Sequence, residues 1–172
     1  MNINLEILNK YISEGLVVKN DHPTLPISIY NYSRTCQYEN KWDDLTIECR
    51  GLVLDREGNV MAKSFPKFFN YEELEGMTFR PSKIPNEKFE VFEKMDGSLG
   101  IVFYYEGEWR VATRGSFKSE QAIMGAEILK RYDLSVLDAD CTYLFEIIYP
   151  ENRIVVDYGV ERMVLLGAYH NH

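Results

Sequence analysis

Lys94 stands in the run Glu93-Lys94-Met95-Asp96-Gly97-Ser98, two residues ahead of an Asp-Gly turn. A lysine amine held at a strand edge beside such a turn can be set against the α-phosphate of a nucleotide and attack it. Lys, Asp and Gly are also common turn residues, so the tetrad alone reads first as a solvated hairpin end. Its company changes that reading. Glu48-Cys49-Arg50-Gly51 and Lys67-Phe68-Phe69-Asn70 precede it, and Thr113-Arg114-Gly115-Ser116 and Phe145-Glu146 follow. One nucleophile, three cations and a carboxylate make a set suited to chemistry at phosphorus.

The amine must first lose its proton. From a reference pKa of about 10.4, that costs roughly 4–5 kcal/mol at neutral pH unless the surroundings help. Neighbouring cations and partial burial both lower a lysine pKa. Arg50, Lys67 and Arg114 are the candidate helpers, and the same charges would hold a triphosphate. Transfers of this kind are catalysed mainly by positioning and charge neutralisation, usually with a divalent ion.

The elements that must position these residues can be read from periodicity. Leu5, Leu8 and Ile12 share a helical face, which predicts a helix over 3–14 ending near Gly15. Extended pieces are expected at Val17-Val18 and Ile27–Tyr30, and a strand-turn-strand at 51–62. Pro81 and Pro85 mark a connector. A meander is predicted from Phe89–Lys94 through the Asp96-Gly97 turn to Gly100–Tyr105 and Trp109–Ala112. Ser119 can cap a helix running to about Tyr132. Three strands then follow, at Thr142–Ile148, Ile154–Tyr158 and Met163–Leu166. The fold class expected is α+β, mostly antiparallel sheets with a few helices.

Composition bounds the partners. The 172 residues, 45% hydrophobic, suffice for one domain with a core, and 12 Tyr and 9 Phe suit strands and base stacking. A net charge of −8 argues against coating nucleic acid by bulk electrostatics, so an RNA partner would need a local basic patch. Three cysteines without metal-ligand spacing suggest a reduced compartment. No stretch reads as a membrane span or signal peptide, so a soluble, cytoplasmic protein is expected.

The motifs together resemble the adenylyltransferase domain of the phage RNA ligase 1 family, ATP-dependent ligases of single-stranded RNA. The matching runs are Tyr30-Asn31-Tyr32, Glu48-Cys49-Arg50-Gly51, Lys67-Phe68-Phe69-Asn70, Lys94-Met95-Asp96-Gly97-Ser98, Arg114-Gly115-Ser116, Lys118-Ser119-Glu120-Gln121-Ala122, and Phe145-Glu146 with Pro150-x-Asn152-Arg153-Ile154-Val155. They occur in the family's order over almost all of the chain from Tyr30. The resemblance implies an ATP-grasp-like nucleotidyltransferase fold in which Lys94 becomes a lysine-AMP. It further implies that Tyr30, Arg50, Lys67, Phe69, Gly97 and Arg114 line the nucleotide. Glu146 would touch the ribose or order metal-bound water. ATP is then the substrate, Mg2+ or Mn2+ the ion, and tRNA or other single-stranded RNA ends the partners. In a bacterial or phage-infected cell, the reaction would be cytosolic repair of broken RNA. Arg114 falls where the family commonly has a lysine, and arginine's planar fork changes its contact geometry.

Plainer readings stand beside these. Glu146 could be a buried carboxylate paired with Arg153, and Phe68 and Phe69 could both serve the core in part. Tyr30 and Tyr32 share one strand face, so at most one is expected at a ligand. Lys118, Lys130 and Arg131 could face RNA or simply be solvated. His170-Asn171-His172 reads as a frayed end without a metal. Relative to the family, a Glu-Gly strand and a Lys-x-Lys strand are missing, as is a C-terminal domain. Residues 1–172 are therefore expected to be the N-terminal part of one adenylyltransferase domain: a gene fragment, a split protein completed by a second polypeptide, or a pseudo-ligase. Such a chain should self-adenylate poorly by itself. The rivals are a non-catalytic module binding nucleotides or RNA ends, and a DNA ligase or capping-type nucleotidyltransferase.

Overall fold

Two four-stranded antiparallel sheets lie face to face, with a helix on the outer side of each, in a computed structural model that describes residues 2–74, 86–152 and 154–171. The first sheet has the order β1 (Val17–Asp21), β2 (Ile27–Tyr32), β3 (Arg50–Asp55), β4 (Val60–Ala62). The second has the order β6 (Glu108–Ala112), β5 (Ser98–Tyr105), β7 (Cys141–Ile148), β8 (Arg162–His170).

Alternation along the strands builds this layering. In β5, Ile101 and Phe103 face Ile27, Ile29 and Val53 of the first sheet, while Val102 faces the other way. In β3, Leu52 and Leu54 point instead to helix α1 (Leu5–Ser13). Helix α4 (Glu120–Leu129) covers the second sheet with Ile128 and Leu129 against Val111 and Ile147. Burying one such aliphatic side chain contributes about 1.5–3 kcal/mol. The α+β expectation with antiparallel sheets is met.

Each long helix begins where the sequence supplies a cap. Asn4 accepts from the Glu6 and Ile7 N–H groups, and Ser119 accepts from Ala122 N–H. Two five-residue helices were not foreseen, α2 (Arg34–Tyr38) and α3 (Asp44–Glu48). Their signal was capping chemistry rather than periodicity. Ser33 caps α2, and Asp43 with Thr46 forms a capping box on α3.

Two strand expectations are corrected. Phe89–Lys94 and Ile154–Tyr158 carry no regular structure, and Phe89, Val91, Phe92, Ile154 and Val155 are exposed. Both stretches have the composition of strands, but a strand needs an edge to pair with, and neither pairs with another strand among the described residues. The frayed end is also corrected. Strand β8 runs to His170, and Asn171 is buried, accepting from Thr142 Oγ1 at 2.6 Å and donating to Met61 O at 3.1 Å. The connector prolines, Arg153 and His172 fall outside the described residues.

Candidate active site

At one end of the sheet stack a cleft of about 580 Å³ opens. Its walls are Asn31 and Arg50 from the first sheet, Gly97, Ser98 and Leu99 from the start of β5, and Thr113, Arg114 and Gly115 from the turn after β6. Its size lies within the range of small-molecule sites. Gln121 and Ile154 complete it.

Arg50 reaches this cleft because of a slip in strand register. Tyr30 pairs with Leu52 and Asn31 with Arg50, which leaves Gly51 as an extra residue in β3. Gly51 has φ +84, a backbone state that glycine adopts without penalty. By plain alternation Arg50 would share the α1 face with Leu52 and Leu54. The bulge instead turns it beside Asn31, onto the face directed at the second sheet. A Cβ at Gly51 would lie 2.4 Å from Ile101 Cδ1 and 3.3 Å from Arg114 Cα. Thus the same glycine lets the Arg114 turn approach β3.

Three cations gather here. Burial lowers the Arg50 pKa, and Arg114 lowers it further. Lys67 is lowered by burial, with Arg50 and Arg114 adding to the fall and Glu73 opposing it. Arg50 donates to Ser64 Oγ and Phe65 O, both at 3.3 Å, and its guanidinium lies 5.1 Å from the Phe68 ring centre. Arg114 donates to the Tyr32 hydroxyl at 3.3 Å. The Lys67 ammonium sits 4.2 Å from the Phe69 ring centre and 5.7 Å from that of Trp42. Held by ring faces and carbonyls, and in no ion pair among the described residues, these cations keep their charge available to an anion.

The Lys94 segment meets the cleft through Gly97. A Cβ there would come 2.5 Å from Ile147 O and 3.2 Å from Glu146 Cγ, so only glycine lets the turn pack this closely on β7. Lys94 itself is exposed. Its charge reaches Glu146, whose carboxyl is pushed above the usual range by burial, pulled back by Lys94 and Arg50, and raised again by Asp96. The carboxylate therefore links the lysine electrostatically to the cation group. Asn152 fixes this corner by donating to Ser98 Oγ at 2.9 Å and Ile147 O at 3.1 Å.

The expected residues divide accordingly. Arg50, Gly97 and Arg114 line one cleft, with Glu146 packed behind Gly97 and Lys67 and Phe69 grouped with the cations. Tyr30 does not join them; it packs in the core under α1 beside Leu52 and Leu54. Of the two tyrosines, Tyr32 is the one that reaches a site residue. Phe69 packs edge-on against Trp42, which in turn packs on Tyr32. Phe68 is exposed rather than core.

Asn31 and Trp42 were missed. The Asn31 Oδ1 atom is buried and has no hydrogen-bond partner among the described residues, although its amide donates to Tyr32 O. An orphan acceptor in a cleft is what a ligand's donor, such as an amino or hydroxyl group, would satisfy. The signal for Trp42 was a lone tryptophan among polar residues ahead of the Asp43 cap.

The cleft thus brings together converging cations, the Asn31 acceptor and Gly97 of the Lys-x-Asp-Gly run. The chain belongs to the RNA ligase family: the family model described as RNA ligase matches residues 48–172, which supports the phage RNA ligase 1-like resemblance. It is 33% identical over 90% of its length to a protein of Autographa californica nuclear polyhedrosis virus provisionally named a bifunctional polynucleotide kinase/RNA ligase. It is 26% identical over 90% to the RNA ligase of Rhodothermus phage RM378, and 31% identical over 70% to RNA ligase 1 of bacteriophage TS2126. The chain spans 27%, 43% and 33% of the lengths of these three relatives. No helix among the described residues is long and apolar enough to cross a membrane.

Proposed function

We propose that this chain is the nucleotide-activating part of an ATP-dependent RNA ligase that joins 5′-phosphate and 3′-hydroxyl RNA ends. Lys94, as the neutral amine, attacks the α-phosphorus of ATP. A P–N bond forms, pyrophosphate leaves, and the amine proton passes to solvent. An RNA 5′-phosphate oxygen then takes the AMP and frees the lysine. Finally the 3′-hydroxyl attacks that RNA phosphorus and AMP departs. Arg50, Lys67 and Arg114 receive the triphosphate, Asn31 accepts from the nucleoside, and Phe69 packs beside it. Glu146 and Asp96, the two carboxylates near Lys94, would hold a divalent ion such as Mg2+ or Mn2+ through water. When bound it would neutralise phosphate charge. A cytosolic setting, in a bacterial or phage-infected cell, and tRNA-like ends go with this reading.

The observation that supports it most is the Gly51 bulge. The bulge brings Arg50 to the cleft shared by Gly97 of the Lys-x-Asp-Gly run. Intact mass after incubation with ATP and Mg2+ tests the proposal. A sub-stoichiometric AMP adduct is expected, lost in Lys94→Arg; no adduct under any condition would overturn it. GTP in place of ATP should give none, which separates this reading from a capping-type enzyme.

The exposed Phe89, Val91, Phe92 and Ile154 support a further element of the proposal, a second polypeptide or further segment that covers them and completes the site. Adduct yield should then rise when such a segment is supplied in trans. The exposure of Lys94 favours a second reading, a non-catalytic nucleotide or RNA-end binder. That reading requires ATP to raise Tm equally in wild type and Lys94→Arg, with no adduct in either.

A further inference from the structure

A second cluster of chemistry-bearing side chains lies at the opposite end of β7. Cys141 opens that strand and His170 closes β8, and the two are direct cross-strand partners. Opposed residues of an antiparallel pair project on the same side, with Cβ atoms about 4.5–5.5 Å apart. Asp138 is brought in by the preceding loop: Cys141 N–H donates to Asp138 O, and Asp140 N–H donates to Asp138 Oδ1. The end of β8 is tied to the same loop by Asn171 N–H on Asp140 O at 3.0 Å. One carboxylate oxygen of Asp138, Cys141 Sγ and a ring nitrogen of His170 all lie within 4.8 Å of one another.

We propose that Asp138, Cys141 and His170 form a three-ligand site for a divalent transition metal, with Zn2+ the ion best matched to it. A thiolate, an imidazole and a carboxylate are the donors Zn2+ takes in tetrahedral sites. Ligand atoms around tetrahedral zinc stand about 3.4–3.8 Å apart, given metal bonds of 2.0–2.3 Å. Closing from the present spacing takes side-chain rotation at the strand ends, where Asp138 and His170 are exposed. The mixed soft and hard donor set disfavours Mg2+, which prefers oxygen ligands and its own water. Burial raises the Cys141 thiol pKa, and Asp138 and Asp140 add to the rise, the mark of a negative local potential. The same potential attracts a cation. Five residue steps along β7, about 17 Å at strand rise, separate Cys141 from Glu146. This site is therefore not the one that handles the nucleotide. It would act as a clip joining the first turn of β7 to the end of β8, where Asn171 bonds across to the first sheet.

The test uses the reduced, chelator-treated chain and Co2+ as the probe. A thiolate-to-cobalt absorption band in the near ultraviolet should saturate at one equivalent and disappear on adding Zn2+. Cys141→Ser should remove the band. His170→Ala and Asp138→Ala should weaken Zn2+ binding at least as much as loss of an outer-shell partner does, about 10–100-fold. Zn2+ should also raise the wild-type Tm. Absence of the band, or Zn2+ affinity unchanged in Cys141→Ser, would mean adventitious surface binding only and overturn the site. A readout on the wild-type chain guards against a variant that fails to fold. Zn2+ should slow alkylation of Cys141, followed by peptide mass, and an unchanged rate at saturating Zn2+ is equally fatal. Neither result bears on Lys94 adduct formation, so the two proposals fail separately.

Discussion

Asp96 holds the backbone of Val155 and Val156: its Oδ2 accepts from both N–H groups, each at 2.6 Å. Its own N–H donates to the Tyr158 hydroxyl at 3.1 Å. The Asp of the Lys-x-Asp-Gly run thus ties the lysine's segment to the 154–158 stretch that closes one wall of the cleft. Those backbone donors, Val156 first, lower the Asp96 pKa. A lowered carboxyl pKa means the contribution is present at neutral pH and vanishes as pH falls through the depressed value. Asp96→Asn should therefore speed amide hydrogen exchange at Val155 and Val156 and reduce AMP adduct, with little change in Tm. In wild type, the two amide NMR signals should titrate together below about 3.9, the ordinary Asp value. Signals that ignore low pH would remove this role.

Gly51 makes the sharpest backbone prediction. Gly51→Ala forces a non-glycine residue to positive φ and drives a methyl into Ile101 and the Arg114 backbone. Strain of this kind costs about 1–3 kcal/mol, and overpacking a similar amount. Urea unfolding should show a loss of roughly that size. Because relieving the strain means undoing the bulge, ATP-induced stabilisation should fall further than global stability does. Retention of full ATP stabilisation would show that Arg50 reaches the cleft by another route.

Local chemistry was legible in the sequence and long-range geometry was not. Arg50, Gly97 and Arg114, each singled out from a short run whose residue types carry the signal, do line one cleft. The Gly51 bulge was invisible, since a register slip is decided jointly by β2 and β3. Its consequence, Asn31 in the cleft and Tyr30 in the core, was therefore not readable from the Tyr30-Asn31-Tyr32 run. The Phe89–Phe92 pattern is that of a strand, and the residues obey it in composition only. A strand pattern predicts a strand when a paired edge is at hand, and that condition is not written in the segment itself.

Asn31 carries the clearest trade between stability and binding. Burying an acceptor without a partner costs about 1–3 kcal/mol, while the amide's bond to Tyr32 O returns about 1 kcal/mol. Asn31→Leu should leave Tm unchanged or raise it, since the orphan oxygen is removed with the bond. The same substitution should abolish most of the Tm rise produced by ATP. A destabilised variant that still responds fully to ATP would show that Asn31 serves only the fold.

Glu146 supplies a pH dependence of opposite sign to that of Asp96. Burial raises its carboxyl pKa, so the folded chain holds this proton more tightly than the unfolded chain. Between the unfolded value, about 4.3, and the raised folded value, the native state binds more protons, and stability falls as pH rises. At neutral pH the ionised carboxylate is a net burden, eased by Lys94 and Arg50. Glu146→Gln should therefore raise Tm at pH 7 and lose that advantage as pH drops toward 4. It should at the same time cut AMP transfer, because the charge that links Lys94 to the cation group is gone. Parallel thermal melts and adduct assays at the two pH values decide the matter. A Tm gain that persists undiminished at low pH would mean that the glutamine acts through packing rather than charge.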